Sequence, residues 1–260
     1  MGARGRGSPA LPSGLITGSW VTGCVGAALL VHALPGVTAI DRVRRSLFPR
    51  LAGIGRPEHV ALTFDDGPDP RSTPRILEAL DDLAWRATFF MLGTMVRRAP
   101  GLAREVATAG HEIALHGDEH RNLLKLGPVA ALQEVRRGCE AVSEATGHRP
   151  RWFRPPYGAL TTPALLAAGR LGLRPMLWTA CAGDWNAEAT PDSVAAAVRA
   201  GLPSGGTLLL HDANRDPASD AWRSTLGALP LLAAHFETAG LVVGPLAEHG
   251  IGRETLLRTG

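Results

Sequence analysis

The chain is poor in cysteine. The three it has in 260 residues, Cys24, Cys139 and Cys181, share no repeated spacing. An odd, irregular set excludes a disulfide framework, and Cys139 and Cys181 read as small buried thiols. Charge of one sign is also lacking. The net charge is +3 and the arginines are scattered, so no nucleic-acid surface is expected. There is no internal repeat and no long low-complexity segment, which excludes a repeat array. Finally, residues 7–40 hold no aspartate, glutamate, lysine or arginine.

That uncharged stretch bears on membranes. Within it Leu15 to Ile40 is mostly apolar and long enough to cross a bilayer. Four readings stand side by side: an uncleaved signal-anchor helix, a cleaved secretory signal, a lipoprotein and a buried N-terminal helix of a soluble domain. For cleavage there is no clean small-x-small site. For a lipoprotein, Val21-Thr-Gly-Cys24 resembles a lipobox, but the apolar stretch runs on past Cys24. Arg42, Arg44, Arg45 and Arg50 follow the run and outnumber Arg4 and Arg6 before it, so charge alone favours a cytoplasmic domain. Arg50 to Glu58 reads as a linker. The expected division is a signal or anchor segment with linker at 1–55, a catalytic domain at 56–250 and a tail at 251–260.

The hydrophobic content of 45% suffices for a substantial core. Strands are expected at 59–64, 87–91, 112–116, 151–154, 175–179, 206–211 and 241–243. Helical patterns separate them: Ile76, Leu77, Leu80 and Leu83 share one face, and Leu132, Val135, Cys139 and Val142 another. Pro74, Pro100, Pro128, Pro163 and Pro191 stand where helices start. This βαβα order implies a parallel sheet covered by helices, and seven such units suggest a barrel.

The chemistry gathers at strand ends. The apolar run Val60 to Phe64 stops at two adjacent carboxylates, Asp65 and Asp66, followed by the turn residues Gly67, Pro68 and Pro70. Paired acids at a buried strand end are costly unless a cation holds them. Ligands for one lie downstream in His116-Gly-Asp-Glu-His120. A helical turn would put both imidazoles on one face. Asp66, His116 and His120 then give three N/O ligands with open positions, the composition of a catalytic metal site. Arg154 to Gly158, Asp184 with Trp185, and His211 also fall at or after strand C-termini, where barrels build active sites.

With these residues in view, the chain resembles the polysaccharide deacetylase family, the NodB-homology enzymes of carbohydrate esterase family 4, over roughly residues 58 to 245. Thr63-Phe-Asp-Asp-Gly-Pro68 matches the family's first motif. His116 to His120 resembles the second, Arg151-Trp-Phe-Arg-Pro-Pro-Tyr-Gly158 the third, Gly183-Asp-Trp185 the fourth, and Leu208-Leu-Leu-His-Asp212 the fifth. The resemblance implies a distorted (β/α)7 barrel and removal of N-acetyl groups from amino sugars. It implies Asp65 as general base, with Arg154 orienting it and keeping its pKa low. Asp66, His116 and His120 become the ligands of a divalent ion, zinc first and cobalt as an alternative. The Tyr157 N–H would face the oxyanion, and His211, held by Asp184, would be the general acid. Trp185 and Leu209 would line the pocket, Leu209 against the acetyl methyl.

Two positions depart from the pattern. Gly117 stands where the family has Ser or Thr, removing a hydroxyl that braces the ligand loop. Cys181 replaces an aspartate common there. The loop from Ala213 to Trp222, with Asn214, Arg215, Asp216 and Asp220, reads as a solvated loop or as the wall of a sugar subsite. The expected substrate is an N-acetylated polysaccharide or oligosaccharide, peptidoglycan or chitin-like. A small or lipid-linked sugar precursor is the alternative, and an inactive sugar-binding envelope protein is a reading of another class. The resemblance places the catalytic domain outside the cytoplasm, membrane-anchored or secreted, and a monomer is expected.

Overall fold

The structure is a computed structural model that describes Gly26, residues 29–214 and residues 220–251. Cys24, half of the apolar run from Leu15 to Ile40, Arg215, Asp216 and the tail beyond 251 lie outside the described residues. Of the expected N-terminal helix, residues 29–33 are described and helical, followed by a 3-10 turn at Leu34–Ala39.

Strands β1 (His59–Asp65), β2 (Thr88–Met91), β3 (Glu112–Leu115), β4 (Trp152–Phe153), β5 (Arg174–Pro175), β6 (Ala180–Cys181), β7 (Gly206–His211) and β8 (Val242–Gly244) form one sheet. Every pairing is parallel, in the order β5-β4-β3-β2-β1-β7-β6, with β8 alongside the start of β1. All seven residues of β1 are buried, as a strand covered on both faces requires. Its Asp65 lies level with Phe90 of β2 and His211 of β7. That register brings two of the expected functional side chains to one rim.

Helices α1 (Asp41–Leu47), α2 (Thr73–Asp82), α3 (Gly93–Arg98), α4 (Pro100–Thr108), α5 (Pro128–Thr146), α6 (Thr162–Arg170), α7 (Pro191–Gly201) and α8 (Trp222–Thr238) surround the strands. α2, α4, α5, α6 and α7 each begin with the expected proline, whose missing N–H costs nothing in a first turn. Ile76, Leu77 and Leu80 of α2 and Val135, Cys139 and Val142 of α5 enter one core with Phe64, Phe89 and Phe153.

One expectation is corrected. The stretch 175–179 is not a strand: residues 176–179 cross irregularly between β5 and β6, which do not pair, and the barrel is open there. Apolar composition alone could not separate this crossing from a strand. The stretch Arg50 to Glu58, read as a linker, is in part packed on the barrel. Leu51–Gly53 forms a turn on the barrel, with Ala52 fully buried and its carbonyl accepting from Thr179 Oγ1 at 2.9 Å.

Candidate active site

The first two carboxylates are separated by a reversal of the backbone. Asp65 ends β1 in extended geometry, whereas Asp66 takes a left-handed φ of 79°, rare for a side-chain-bearing residue. Asp65 therefore turns towards the barrel and Asp66 towards the β3 loop. Arg154 NH1 donates to Asp65 Oδ1 at 2.6 Å and to Thr63 Oγ1 at 2.9 Å. Its NH2 donates to the Leu177 carbonyl at 2.8 Å. This guanidinium is completely buried, over the ring of Phe90.

The expected low pKa of Asp65 is corrected. Burial pushes its carboxyl up from the ordinary value, against the opposing pull of Arg154 and His211. The sequence supplied Arg154's charge but not the cost of desolvation.

His116 and His120 do converge, though not on a helical turn. Residues 116–120 form a loop, with Gly117 at φ 96° and His120 at φ 56°. The left-handed Gly117 bends the chain back so that both Nε2 atoms reach Asp66 Oδ1, at 3.5 Å for His116 and 3.3 Å for His120. The loop is braced from several sides. Glu134, wholly buried on α5, accepts from the N–H of Asp118 at 3.0 Å and of Glu119 at 2.6 Å. Gly93 N–H donates to the Gly117 carbonyl, and Arg97 pairs with Asp118 at 2.7 Å.

One ligand atom each from Asp66, His116 and His120 lies within 4.8 Å of the others. The donor set fits a divalent ion. His116 Nδ1 lies 2.9 Å from the Arg154 carbonyl, which can only accept, so Nδ1 carries the proton and Nε2 its lone pair. That lone pair faces a carboxylate oxygen. Two such acceptors sit stably together with a cation between them, and a ligating histidine held through its other nitrogen is the usual arrangement.

On the opposite side, Asp184 accepts from His211 twice, from the backbone N–H at 2.7 Å and from Nδ1 at 3.0 Å. Thr225 of α8 donates to the same carboxylate at 2.7 Å. Burial disfavours the charged ring of His211, but Asp184, with Asp66 and Asp65, outweighs it and raises the pKa to about 9. Trp185 packs edge-on against His211 at 5.2 Å. Tyr157 (φ 60°) packs on His120.

All ten expected site residues except Arg154 and Asp184 line one cavity of about 490 Å³, joined there by Trp178, Cys181, Ala213 and Asn214. Those two stand behind Asp65 and His211. Of the Ala213–Trp222 loop, Ala213 and Asn214 thus face the cavity.

Asp212 closes the fifth motif, and the motif alone assigns it no role. It is buried, accepts from Gly67 N–H at 3.2 Å and from the Thr73 hydroxyl, and so fastens the turn after Asp66. A Cβ on Gly67 would lie 2.0 Å from its carboxylate, so only glycine fits. Burial pushes the Asp212 carboxyl up to about 7. Glu134 carries one signal in the sequence, an acid within the apolar stripe of Ala131, Val135 and Gly138.

Comparison with known proteins decides the family. The polysaccharide deacetylase profile matches residues 52–176. A chitooligosaccharide deacetylase of Bradyrhizobium sp. (strain ANU 289) is 34% identical over 196 residues, 73% of this chain and 89% of that protein. The chain belongs to the polysaccharide deacetylase family.

The peptidoglycan-N-acetylglucosamine deacetylase PgdA of Listeria monocytogenes serotype 1/2a (strain 10403S) is 33% identical over 162 residues, 62% of this chain but only 34% of PgdA. The family 4 carbohydrate esterase from Streptomyces lividans, solved in complex with acetate, superposes with a TM-score of 0.65 at 34% identity, covering 76% of this chain and 97% of that one. The open parallel barrel of this deacetylase is therefore the distorted (β/α)7 barrel of its family. The protein is an enzyme, a polysaccharide N-deacetylase.

Proposed function

We propose that this deacetylase hydrolyses the N-acetyl amide of N-acetylglucosamine units in a wall polysaccharide or its oligomers, releasing acetate. The observation that carries this is one cavity joining a buried acid held by arginine, an Asp-His-His donor set and a histidine held by an acid. The relatives act on chitooligosaccharides and peptidoglycan, which supports the substrate class.

Asp66, His116 and His120 would hold a divalent ion, zinc by preference for this N/O set. Such an ion supplies Lewis acidity, polarising a carbonyl and acidifying water. Asp65 accepts the proton of the attacking water as oxygen bonds to the carbonyl carbon. Arg154 keeps that carboxylate aimed. The Tyr157 N–H stabilises the oxygen that gains charge. His211 donates its proton to the nitrogen as the C–N bond breaks, so acetate and a free amine leave. Leu209 packs on the methyl group and Trp185 on the sugar.

Membrane association belongs to the same reading. Leu34, Val37, Ile40, Leu47 and Phe48 all expose apolar side chains beside Arg42, Arg45 and Arg50. That mixture suits a seat in a lipid interface, with the catalytic barrel outside the cytoplasm. Among the described residues no helix is long and apolar enough to cross a membrane.

The test is acetate release from peptidoglycan, N-acetylglucosamine oligomers and small N-acetyl sugars. Release from the polymer or oligomers supports the proposal. Release from the monosaccharide or a lipid-linked sugar alone assigns the precursor reading, and none from any substrate refutes it.

A further inference from the structure

We infer that the N-terminal stretch Leu34–Gly53 is a working part of the deacetylase: it closes the open side of the barrel, and Arg44 in it is a positioning residue for the substrate cavity. This rests on the N-deacetylase reading above and names a residue that none of the five motifs contains.

The barrel is unpaired between β5 and β6, where residues 176–179 cross. The ends of the crossing are held by the sheet, Met176 N–H to Phe153 and Thr179 N–H to Thr207. Its middle is held by the N-terminal stretch. Leu177 N–H donates to the Leu51 carbonyl at 2.8 Å, and the Leu177 carbonyl accepts from Arg154 at 2.8 Å. Arg154 in turn holds Asp65. A continuous line of hydrogen bonds thus runs from Leu51 to the proposed base.

The next residue, Trp178, is a wall of the cavity. One neighbour is the Arg44 guanidinium, 5.1 Å from its ring centroid. Another is Gly158, directly after Tyr157, where a Cβ would come within 2.9 Å of the indole. Trp178 is therefore held between α1 and the loop that carries Tyr157.

Arg44 is unlike its neighbours on α1. Arg42 and Asp41 are exposed, whereas Arg44 is 2% exposed. NH1 donates to the carbonyls of Thr38 and Ala39, and NH2 to Asp41 at 2.8 Å. These bonds fix a planar cation in one orientation under an aromatic ring, the geometry in which a guanidinium attracts an indole. A buried cation with one half-exposed acid partner is costly as scaffolding alone. Its return is a fixed Trp178.

The experiment compares the full-length chain with Arg44→Ala and Trp178→Ala, measuring kcat and KM on an N-acetylglucosamine oligomer, metal content and melting temperature. Arg44→Ala is expected to keep its metal and to lose roughly 10- to 100-fold in kcat/KM, the usual cost of a misplaced site wall. Low millimolar guanidinium should restore much of that loss in Arg44→Ala and none in Trp178→Ala. Unchanged kcat/KM in Arg44→Ala overturns the inference. So does a loss that guanidinium leaves untouched, which marks Arg44 as scaffolding only. Should Arg44→Ala fail to fold, Arg44→Lys decides. It keeps the charge without the planar face and should lose kcat/KM; full activity in it is contrary. An inactive wild-type chain would instead refute the deacetylase reading itself.

Discussion

The carbonyl of Arg154 accepts a 2.9 Å hydrogen bond from His116, while the guanidinium of the same residue holds Asp65. One residue thus fixes the proposed base with its side chain and a proposed metal ligand with its backbone. Displacing the Arg154 loop would disturb both together.

Removing one ligand tests the metal assignment. His120→Ala should lose bound divalent ion and activity in parallel, because two remaining ligands hold an ion weakly. Metal analysis of the purified variant at unchanged stoichiometry would show that His120 is not a ligand.

Glu134 offers a separate test of the loop that carries the histidines. It holds the N–H groups of Asp118 and Glu119 from α5. Glu134→Ala should weaken metal affinity roughly 10- to 100-fold, the usual effect of losing support behind a ligand. Excess metal should recover most of the activity. Metal titration with wild-type affinity would mean that the remaining bonds to Gly117 and Asp118 suffice.

The pH profile follows from two raised pKa values. As the proposed base Asp65 would act deprotonated, so the rate should rise as pH passes its pKa, which burial places above the ordinary carboxylate value. As the proposed acid His211 would act protonated, so the rate should fall as pH passes about 9. Asp184→Asn removes the main support of the imidazolium and should draw the alkaline limb to lower pH, leaving the acid limb in place. An unmoved alkaline limb would detach Asp184 from His211.

Much of this was legible in the residues themselves. β1 ends at Asp65 because an apolar run meets two acids and a Gly-Pro turn, a signal local to the chain. The meeting of the histidine pair with Asp66 was legible, but not the loop that achieves it. Four-residue spacing suits a helix equally well, and only the left-handed Gly117 and His120 decide. The seam at 176–179 was invisible because an apolar crossing and a strand share composition. The raised pKa of Asp65 required knowing that Arg154 and its partner are both fully desolvated. Arg44 reads as one more arginine after an apolar run; its ring partner Trp178 lies far along the chain.

Membrane seating makes its own prediction. The full-length chain should sediment with anionic phosphatidylglycerol vesicles and less with phosphatidylcholine, since arginines flank the exposed apolar side chains. The double variant Leu34→Asp, Leu47→Asp should bind both more weakly. Full-length protein left in the supernatant with either lipid would contradict this seat.

The central claim is that Asp65 is the base of a metal-dependent N-deacetylase. Acetate release by Asp65→Asn, measured beside its metal content on an N-acetylglucosamine oligomer, tests it most directly. The account predicts wild-type metal content and a rate lower by roughly 10²- to 10⁴-fold, the usual worth of a general base. A metal-loaded Asp65→Asn that releases acetate at the wild-type rate would contradict it.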